Sequence, residues 1–370
     1  MEYIALKNIC KINMGQSPDS SSYNDNKDGI PFFQGNADFG EKYPVTRVWC
    51  NAPIKVAQPN DILISVRAPI GALNFAKEEC CIGRGLAALT PDRSKVSLEF
   101  IYWVLKWKKA ELNSKGTGST FKAISRKVLE ETLVPAIDFE KQYEYAEILG
   151  KTYSVIKKYK KELNCLDGLI KARFVEMFGD CTNMISLSDL CLIITDGTHQ
   201  SPKFQHEGIP FILVSNLSKN TVTYDTDKFI SAETYKELYK RTPIEIGDIL
   251  LSTVGSYGHP AVVVEDRKFL FQRHIAYLKP KSDILNSYYM HGALLSPGCQ
   301  RQIEEKVKGI AQKTLNLSEI RKIRIPVPSL DLQKQYADFV HQVNKSKVAV
   351  QKALDETQML FDSLMQEYFN

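Results

Sequence analysis

The feature that most constrains this chain is a long-range internal repeat. Five short segments of the N-terminal half return in the same order in the C-terminal half. The paired segments start 179 residues apart at the first pair and 193 apart at the last, and the separation never decreases. Such an ordered drift is typical of a duplicated unit whose loops have lengthened in one copy. The pairs are GIPFF (29–33) with GIPFI (208–212), PNDILIS (59–65) with IGDILLS (246–252), LAALTP (86–91) with IAYLKP (275–280), ISRKVLEETLVP (124–135) with LSEIRKIRIPVP (317–328), and FEKQY (139–143) with LQKQY (332–336).

Each copy has the same predicted order of elements. Short β-rich segments such as DILISV and DILLSTV come first and a helical segment follows (SLEFIYWVLKWKKAEL in the first copy). A basic stretch with glycine, a strand end with proline and one long helix complete the copy. A chain of 370 residues is long enough for two separate cores. We therefore predict an α+β fold in which two similar, mixed β-rich globules with helices are each followed by a long helix.

Both long helices carry a narrow apolar seam. Apolar residues recur at steps of three and four, which is typical of a helix that packs on one partner helix. We predict that the two helices form an antiparallel coiled coil with a pseudo-two-fold relation, and that polar Lys160 and Asp167 fix its register if they find partners. The alternative is that each helix packs only on its own globule. The predicted seam residues are Leu149, Tyr153, Ile156, Leu163, Ile170, Phe174, Val343, Val350, Leu354, Phe361 and Leu364.

Positive charge is concentrated at two corresponding places. The formal net charge is only +5, yet residues 103–127 and 306–324 are both strongly basic. One basic run is usually a solvated face, but two at equivalent positions suggest two equivalent anionic surfaces. Duplex DNA provides such surfaces, and lysines bind its phosphates without reading sequence. The phosphate-contact candidates are Lys115, Lys122, Lys313 and Lys322.

The sequence lacks the motifs of common catalytic and metal sites. GKT at 150–152 has Tyr145 where a P-loop requires glycine, and His199 with His206 makes a poor metal pair. There is no HExxH, no GxSxG and no Asn-Pro-Pro-aromatic tetrad of an adenine methyltransferase. We therefore predict a binding protein with no catalytic residue, no metal site and no cofactor of its own.

The sequence also carries signals of location. The N-terminus MEYIALKNICKINMG lacks the apolar core of a secretory signal, and no apolar run is long enough to span a membrane. The eight cysteines contain no CxxC and are scattered along the chain. This usage predicts reduced thiols in the cytoplasm.

Several motifs together resemble one family. They are MGQSPDSSSYN (14–24), GIPFFQGNADFG (29–40), DGTHQSP (196–202), GTGSTFKAIS (116–125), the two DILxS strands, and the endings LVPAIDFEKQ and IPVPSLDLQKQ. Each motif is weak alone, but duplicated and in order they resemble the specificity subunit of type I restriction–modification enzymes over the whole chain. The first ending and GIAQKTLNLS (309–318) depart modestly from the family pattern.

The resemblance implies an organisation and partners. It implies target-recognition domains at 1–137 and 181–329, each followed by a conserved helix, at 138–180 and 330–370. Each recognition domain is expected to read one half of a split sequence in double-stranded DNA, with half-site centres about one turn, or roughly 10 base pairs, apart. Two modification subunits, which use S-adenosylmethionine to methylate adenine, are expected to dock on the helices. A motor–nuclease subunit that uses ATP and Mg²⁺ is a further expected partner.

Base reading needs forked donors and acceptors, and these belong in the loops between the repeated strands. For each candidate the alternative is a satisfied surface polar group or turn former; His199 is as plausible a turn stabiliser after Asp196 and Gly197. Arg84 and Arg273 are separated by the same 189 residues as their flanking strands. The candidates are Ser17, Tyr23, Gln34, Asn36, Arg67 and Arg84 in the first copy, and Thr198, His199, Ser215, Asn216, Ser256, Tyr257 and Arg273 in the second.

Two rival functions remain open from the sequence. One is a two-domain scaffold that binds RNA or an acidic protein face; RNA would favour aromatic stacking platforms, and no such aromatic pair is evident in the predicted strands. The other is an enzyme that cleaves or methylates DNA alone, against which the missing motifs argue.

Overall fold

The computed structural model describes residues 2–118, 122–309 and 313–370. The chain divides into two compact units. Unit 1 comprises Met1–Tyr159 with Ala353–Asn370, and unit 2 comprises Lys160–Lys352. Each unit therefore contains one globular part and one portion of each long helix.

Unit 1 is built around a four-stranded antiparallel sheet, a five-stranded mixed sheet and a small two-stranded sheet. Its strands are β1 (Tyr3–Ala5), β2 (Cys10–Met14), β3 (Tyr23–Asn24), β4 (Ile30–Phe33), β5 (Val48–Cys50), β6 (Val56–Ala57), β7 (Ile62–Ser65), β8 (Leu73–Phe75), β9 (Cys80–Ile82), β10 (Leu86–Pro91) and β11 (Leu133–Pro135). The strand orders in the three sheets are β2-β10-β7-β8, β3-β5-β4-β9-β6 and β1-β11. Its helices are α1 (Leu98–Trp107), α2 (Lys109–Ser114), α3 (Arg126–Glu130) and the first part of α4 (Phe139–Phe178).

The sequence accounts for the core of unit 1. Strand β7 is apolar at Ile62, Leu63 and Ile64 and is buried on both faces, as expected for a central strand. Helix α1 begins at Leu98 and is capped by Ser97, whose hydroxyl accepts a hydrogen bond from the Phe100 N–H at 3.1 Å. The helix predicted over SLEFIYWVLKWKKAEL is interrupted at Lys108, which divides it into α1 and α2.

Unit 2 repeats this architecture with fewer strands. Its strands are β12 (Met184–Ser186), β13 (Cys191–Asp196), β14 (Ile209–Ile212), β15 (Phe229–Ile230), β16 (Ile249–Ser252), β17 (Pro260–Val262), β18 (Leu270–Phe271), β19 (Ile275–Pro280) and β20 (Arg324–Pro326). The strand orders β13-β19-β16-β17, β15-β14-β18 and β12-β20 correspond to the three sheets of unit 1. The helices are α5 (Leu187–Leu190), α6 (Ala232–Tyr239), α7 (Ser287–Leu295), α8 (Pro297–Lys306), α9 (Leu317–Ile320) and α10 (Leu330–Phe369).

The repeat extends to strand register. In unit 1, Met14 at the end of β2 pairs with Ala87, and in unit 2, Asp196 at the end of β13 pairs with Ala276. The central antiparallel pairs β10–β7 and β19–β16 also correspond residue by residue. The α+β fold with two similar units is therefore confirmed. Helix α6 was not predicted, and it lies in a segment of unit 2 that is longer than its counterpart.

The long helices are antiparallel within each unit. In unit 1, Tyr145 of α4 stacks on Tyr368 of α10, with ring centroids 3.8 Å apart. In unit 2, Phe174 meets Tyr336 edge to face, and Lys347 donates to Asp167 at 2.5 Å. Asp167 thus has the partner that a role in register requires, whereas Lys160 is exposed. The predicted seam residues are all buried or half-buried: Leu149, Tyr153, Ile156, Leu163, Ile170, Phe174, Val343, Val350, Leu354, Phe361 and Leu364.

Each helix pair also packs on the globular part of its own unit. Trp103 of α1 contacts both Tyr153 and Phe361 edge to face in unit 1. Tyr289 of α7 contacts Phe174 and Phe178 in unit 2. The two alternatives drawn from the sequence are therefore not exclusive, because each helix packs on its partner and on its own unit.

Candidate functional site

The loops that hold most candidate residues of unit 1 meet at one end of the central sheet. Strands β2, β4, β7 and β9 end here, and β10 begins here. The main chain of Gly85 connects three of these loops: its N–H donates to Gln34 O at 3.2 Å, and its carbonyl accepts from Val66 N at 2.9 Å. The Ile124 N–H continues the network to Val66 O at 2.9 Å. We call residues 15–17, 34–36, 66–68, 83–85 and 122–124 the sheet-end site of unit 1.

Glycine is required where the first strand reaches this site. A Cβ on Gly15 would lie 2.2 Å from Gly83 O, closer than any real Cβ contact. In unit 2, a Cβ on Gly197 would lie 2.3 Å from Phe271 O. Both contacts are with main-chain atoms, so no side-chain rotation relieves them. The same close approach of two loops therefore fixes both sites.

The side chains in the site of unit 1 are mostly cations and amides. The Ser17 hydroxyl lies between the Gln34 amide, at 3.0 Å from its Nε2, and the Arg84 N–H, at 3.3 Å. The Arg84 and Arg67 side chains are exposed. Lys122 is tied to the same site because its carbonyl accepts from Ala68 N at 3.0 Å. The structure thus brings together Ser17, Gln34, Arg67, Arg84 and Lys122.

Unit 2 has a corresponding site, built by the same main-chain contacts. Six hydrogen bonds of unit 1 have counterparts in unit 2 at equivalent residues. We call residues 197–199, 213–215, 253–255, 272–274 and 313–315 the sheet-end site of unit 2. All of these bonds are 2.8–3.3 Å long, and together we call them the matched main-chain frame. The bonds of unit 1 are Gly15 N to Leu86 O, Gln16 N to Ile82 O, Gly83 N to Phe33 O, Val66 N to Gly85 O, Ile124 N to Val66 O and Ala68 N to Lys122 O. In the same order, their counterparts in unit 2 are Gly197 N to Ile275 O, Thr198 N to Phe271 O, Gln272 N to Ile212 O, Thr253 N to His274 O, Leu315 N to Thr253 O and Gly255 N to Lys313 O.

The equivalence bears on three pairs of candidates. Arg84 lies directly before Gly85, and Arg273 lies directly before His274, whose carbonyls accept matched hydrogen bonds. The Arg273 N–H also donates to Thr198 O at 3.0 Å. Lys122 and Lys313 accept the same hydrogen bond in their respective units. Ser17 corresponds to His199, one residue beyond the matched pair Gln16 and Thr198. The structure therefore groups Thr198, His199, Arg273 and Lys313 in unit 2.

An open cavity of about 440 Å³ lies at the site of unit 2. Asp196, Thr253, Arg273 and His274 contribute to its lining. The Arg273 Nε donates to His274 Nε2 at 3.3 Å, which requires a neutral acceptor ring. Burial, and then the charge of Arg273, lower the pKa of His274, in agreement with a neutral ring. The cavity therefore has a mixed lining, in which Val254, Leu315 and Leu317 lie beside these polar residues, and Arg273 is exposed.

Asp196 organises a second cluster at this site. Its Oδ1 accepts from the Arg241 Nη2 at 2.6 Å, and its Oδ2 contacts the His199 Nε2 at 2.8 Å. His199 is thus both exposed and held by the carboxylate that precedes it, as in the turn-stabilising alternative. Neither Arg241 nor Asp196 was among the sequence candidates. Arg241 is 45 residues away in the chain, so no local pattern indicates the pairing.

Some candidates have structural roles. Asn216 is 6% exposed, and its amide is used by the main chain: Oδ1 accepts from Leu213 N at 2.9 Å, and Nδ2 donates to Asp225 O at 2.9 Å. This arrangement argues against Asn216 as a base-reading residue, because its amide is already satisfied. The Tyr23 hydroxyl likewise donates to Pro18 O at 2.9 Å.

The remaining candidates lie around the two sites. Asn36 is half-buried beside Gln34, and Ser215 and Ser256 are exposed. The Lys313 ammonium lies 5.9 Å from the centre of the half-buried Tyr257 ring. Lys115 pairs with Glu111 at 2.6 Å and Lys322 with Glu319 at 3.0 Å. Such surface pairs are weak, so both lysines remain able to exchange their partner for a phosphate. The segments 119–121 and 310–312, within the two motifs GTGSTFKAIS and GIAQKTLNLS, lie outside the described residues.

Among the residues that the structure describes, no helix is both long and apolar enough to cross a membrane. Within the same residues, no group of three or more His, Cys, Asp or Glu side chains is arranged to hold a metal ion.

Comparison with known proteins gives a consistent result. Residues 1–165 and 182–357 both match the family profile described as the type I restriction modification DNA specificity domain. The chain is 44% identical over 152 residues to the putative type I restriction enzyme MjaX specificity subunit of Methanocaldococcus jannaschii, a match that covers 41% of this chain and 36% of that relative. It is 22% identical over 403 residues to the type I restriction enzyme EcoBI specificity subunit of Escherichia coli, covering 98% of this chain and 83% of that relative.

A solved structure supports the fold over the full length. The type I restriction–modification S subunit from M. genitalium matches with a TM-score of 0.61 and 16% identity, covering 100% of this chain and 96% of that one. At this identity the likeness concerns the fold.

Proposed function

We propose that this chain, which belongs to the family of type I restriction–modification DNA specificity domains, selects the DNA target of a type I complex through one sheet-end site in each unit. Each site would read one half of a split target in double-stranded DNA. The two halves would be separated by a fixed gap, and the long helices would set its length.

The observation that carries the proposal is the matched main-chain frame. The same six hydrogen bonds hold two sets of loops at the ends of two equivalent sheets. Equivalent positions on this frame carry different side chains, for example Arg67 in unit 1 and Val254 in unit 2. A fixed frame with variable side chains suits two readers that approach DNA in the same way and recognise different bases.

The exposed chemistry of the sites supports a DNA partner. Arg84 and Arg273 offer the planar, forked donors that recognise guanine in the major groove, and Gln34 offers the amide that recognises adenine. Lys122 and Lys313 lie on the same frame and would contact phosphates, with Lys115 and Lys322 nearby in sequence. An RNA- or protein-binding scaffold explains neither the matched frame nor the family membership, so this rival is not favoured.

We further propose that the chain itself is not catalytic. Two modification subunits would methylate adenine with S-adenosylmethionine, and a motor–nuclease subunit would use ATP and Mg²⁺. All three cofactors would be bound by those partners rather than by this chain. A complex that modifies chromosomal DNA would act in the cytoplasm.

The test is to co-express the full chain with its candidate modification subunit and map N6-methyladenine across the host genome. We expect a split motif with a fixed unspecified gap, and no such motif when the modification subunit is expressed alone. Replacing residues 1–137 by another recognition domain should change one half of the motif. Methylation at a short continuous motif, or a change in both halves, would contradict two independent readers.

A matched pair of point variants assigns the halves to the units. Arg84→Ala should relax or weaken the half read by unit 1, and Arg273→Ala the other half, because the two arginines occupy equivalent positions. If both variants altered the same half, the correspondence between units and half-sites would be wrong.

A further inference from the structure

Arg241 is held at the sheet-end site of unit 2 by a carboxylate. Its guanidinium Nη2 lies 2.6 Å from Asp196 Oδ1, and about half of its side chain is exposed. An arginine has five N–H donors in a rigid fork, so this contact leaves other donors facing solvent. The His199 ring contacts the second oxygen of the same carboxylate at 2.8 Å, so the carboxylate is held from both sides.

The frame itself does not require an acid at this position. Asp196 ends β13 opposite Ala276, and the equivalent residue in unit 1 is Met14, which ends β2 opposite Ala87. An apolar residue therefore suffices to build the same strand end. The carboxylate is explained by what it holds rather than by the fold.

The main chain that carries Arg241 is fixed. Arg241 follows helix α6, and its N–H donates to Leu238 O at 3.2 Å. The next residue, Thr242, is 3% exposed, and its N–H donates to Tyr239 O at 3.0 Å. The guanidinium is thus positioned by its backbone and by Asp196, and a positioned donor loses less entropy on binding than a free side chain.

We propose that Arg241 is a specificity-determining residue of unit 2 that reads a guanine, and that Asp196 is its positioning residue. This inference rests on the proposed function and extends it to Arg241, which neither the repeat nor the family motifs indicate, and to a role for Asp196, the first residue of the motif DGTHQSP. Arginine recognises guanine by donating to its O6 and N7 atoms in the major groove, a contact that depends on the orientation of the guanidinium plane.

The carboxylate distinguishes base reading from phosphate binding. A phosphate contact depends mainly on positive charge, and a neighbouring carboxylate reduces that attraction. A guanine contact depends instead on how the guanidinium is oriented toward the neutral acceptors O6 and N7. The pairing with Asp196 therefore fixes this orientation without removing the contact.

The experiment compares Arg241→Ala, Arg241→Lys and Asp196→Asn in the full chain, each co-expressed with the modification subunit. Methylome mapping reads both halves of the target at once, so the half bound by unit 1 is an internal control. The Lys240→Ala variant removes a positive charge from the adjacent residue and is the matched control.

We expect both Arg241 variants to lose discrimination at one G·C position of the second half-site, by roughly 5- to 100-fold. Asp196→Asn should relax the same position less, and Lys240→Ala should leave the motif unchanged. Full rescue by Arg241→Lys would overturn the inference, because lysine supplies charge but not the fork. An unchanged motif, or an equal loss at all positions, would also overturn it.

Failure of this inference is distinguishable from failure of the proposed function. If the unaltered chain gives a split motif, the two-reader proposal stands whatever the Arg241 variants do. If the unaltered chain gives a continuous motif, the two-reader proposal fails on its own evidence.

Discussion

Replacing Gly15 by alanine should damage the frame of unit 1 without affecting unit 2. The added Cβ would lie 2.2 Å from Gly83 O and 2.8 Å from Leu86 O, so the two loops would have to separate by roughly an ångström to restore ordinary contact. This movement would strain the hydrogen bonds from Gly15 N to Leu86 O and from Gln16 N to Ile82 O. Overpacking costs about 1–3 kcal/mol and each weakened hydrogen bond about 0.5–1.5 kcal/mol. We therefore expect the free energy of unfolding of unit 1 to fall by about 2–6 kcal/mol.

Tryptophan fluorescence during urea denaturation measures this loss selectively. All three tryptophans, Trp49, Trp103 and Trp107, belong to unit 1. Gly15→Ala should move the fluorescence transition to lower urea. Gly197→Ala, which meets Phe271 O at 2.3 Å in unit 2, should leave it nearly unchanged.

A helix glycine provides the control of opposite sign. A Cβ on Gly150 meets nothing within 4 Å, so Gly150→Ala should stabilise α4 by about 0.5–1 kcal/mol. If Gly15→Ala were as stable as the unaltered chain, the close approach of the loops would not be what fixes the site.

Three further predictions concern stability. Leu149 is fully buried in the helix seam, so Leu149→Ala should lower the free energy of unfolding by about 2–5 kcal/mol, and a loss within the error of the urea titration would place it outside the packed seam. The Asp167–Lys347 pair is partly exposed, so a double-mutant cycle with Asp167→Asn and Lys347→Met should give a coupling of only about 0.2–1 kcal/mol; a coupling insensitive to salt would contradict a solvent-screened pair. Burial raises the pKa of Asp248 above its ordinary value of 3.8, so the folded state binds this proton more tightly than the unfolded state. The unfolding free energy of the unaltered chain relative to Asp248→Asn should therefore fall as pH rises from the ordinary pKa through the raised one and stay constant above it; a difference that rises with pH would refute the sign.

The fold could be predicted because each repeated segment forms its strand or helix from its own local pattern of apolar residues. Apolar runs such as Ile62–Ser65 and Ile249–Ser252 are typical of strands covered on both faces, and both runs are buried strands in the structure. The long helices were predictable for the same reason, since a seam at steps of three and four requires a partner surface. The equivalence of Arg84 and Arg273 was also predictable, because the two arginines are separated by the same number of residues as the strands that flank them.

The site was less predictable where its contacts are non-local. Asn216 follows a strand, as a base-reading residue would, yet its amide closes a turn with Leu213 and Asp225. Arg241 lies after a helix that the repeat does not contain, and only the folded chain brings it to Asp196. Side-chain amides and carboxylates have several possible partners in sequence, and tertiary packing selects among them.

The structure explains how two copies can share a fold and differ in recognition. The frame consists of main-chain hydrogen bonds, which form whether the side chain is Arg67 or Val254, or Met14 or Asp196. Only positions where a Cβ does not fit, such as Gly15 and Gly197, constrain the residue type. Recognition therefore lies in side chains that the frame positions but does not require. Under the proposed function, one half of a target could change by substitution at these positions while the fold and the other half were retained.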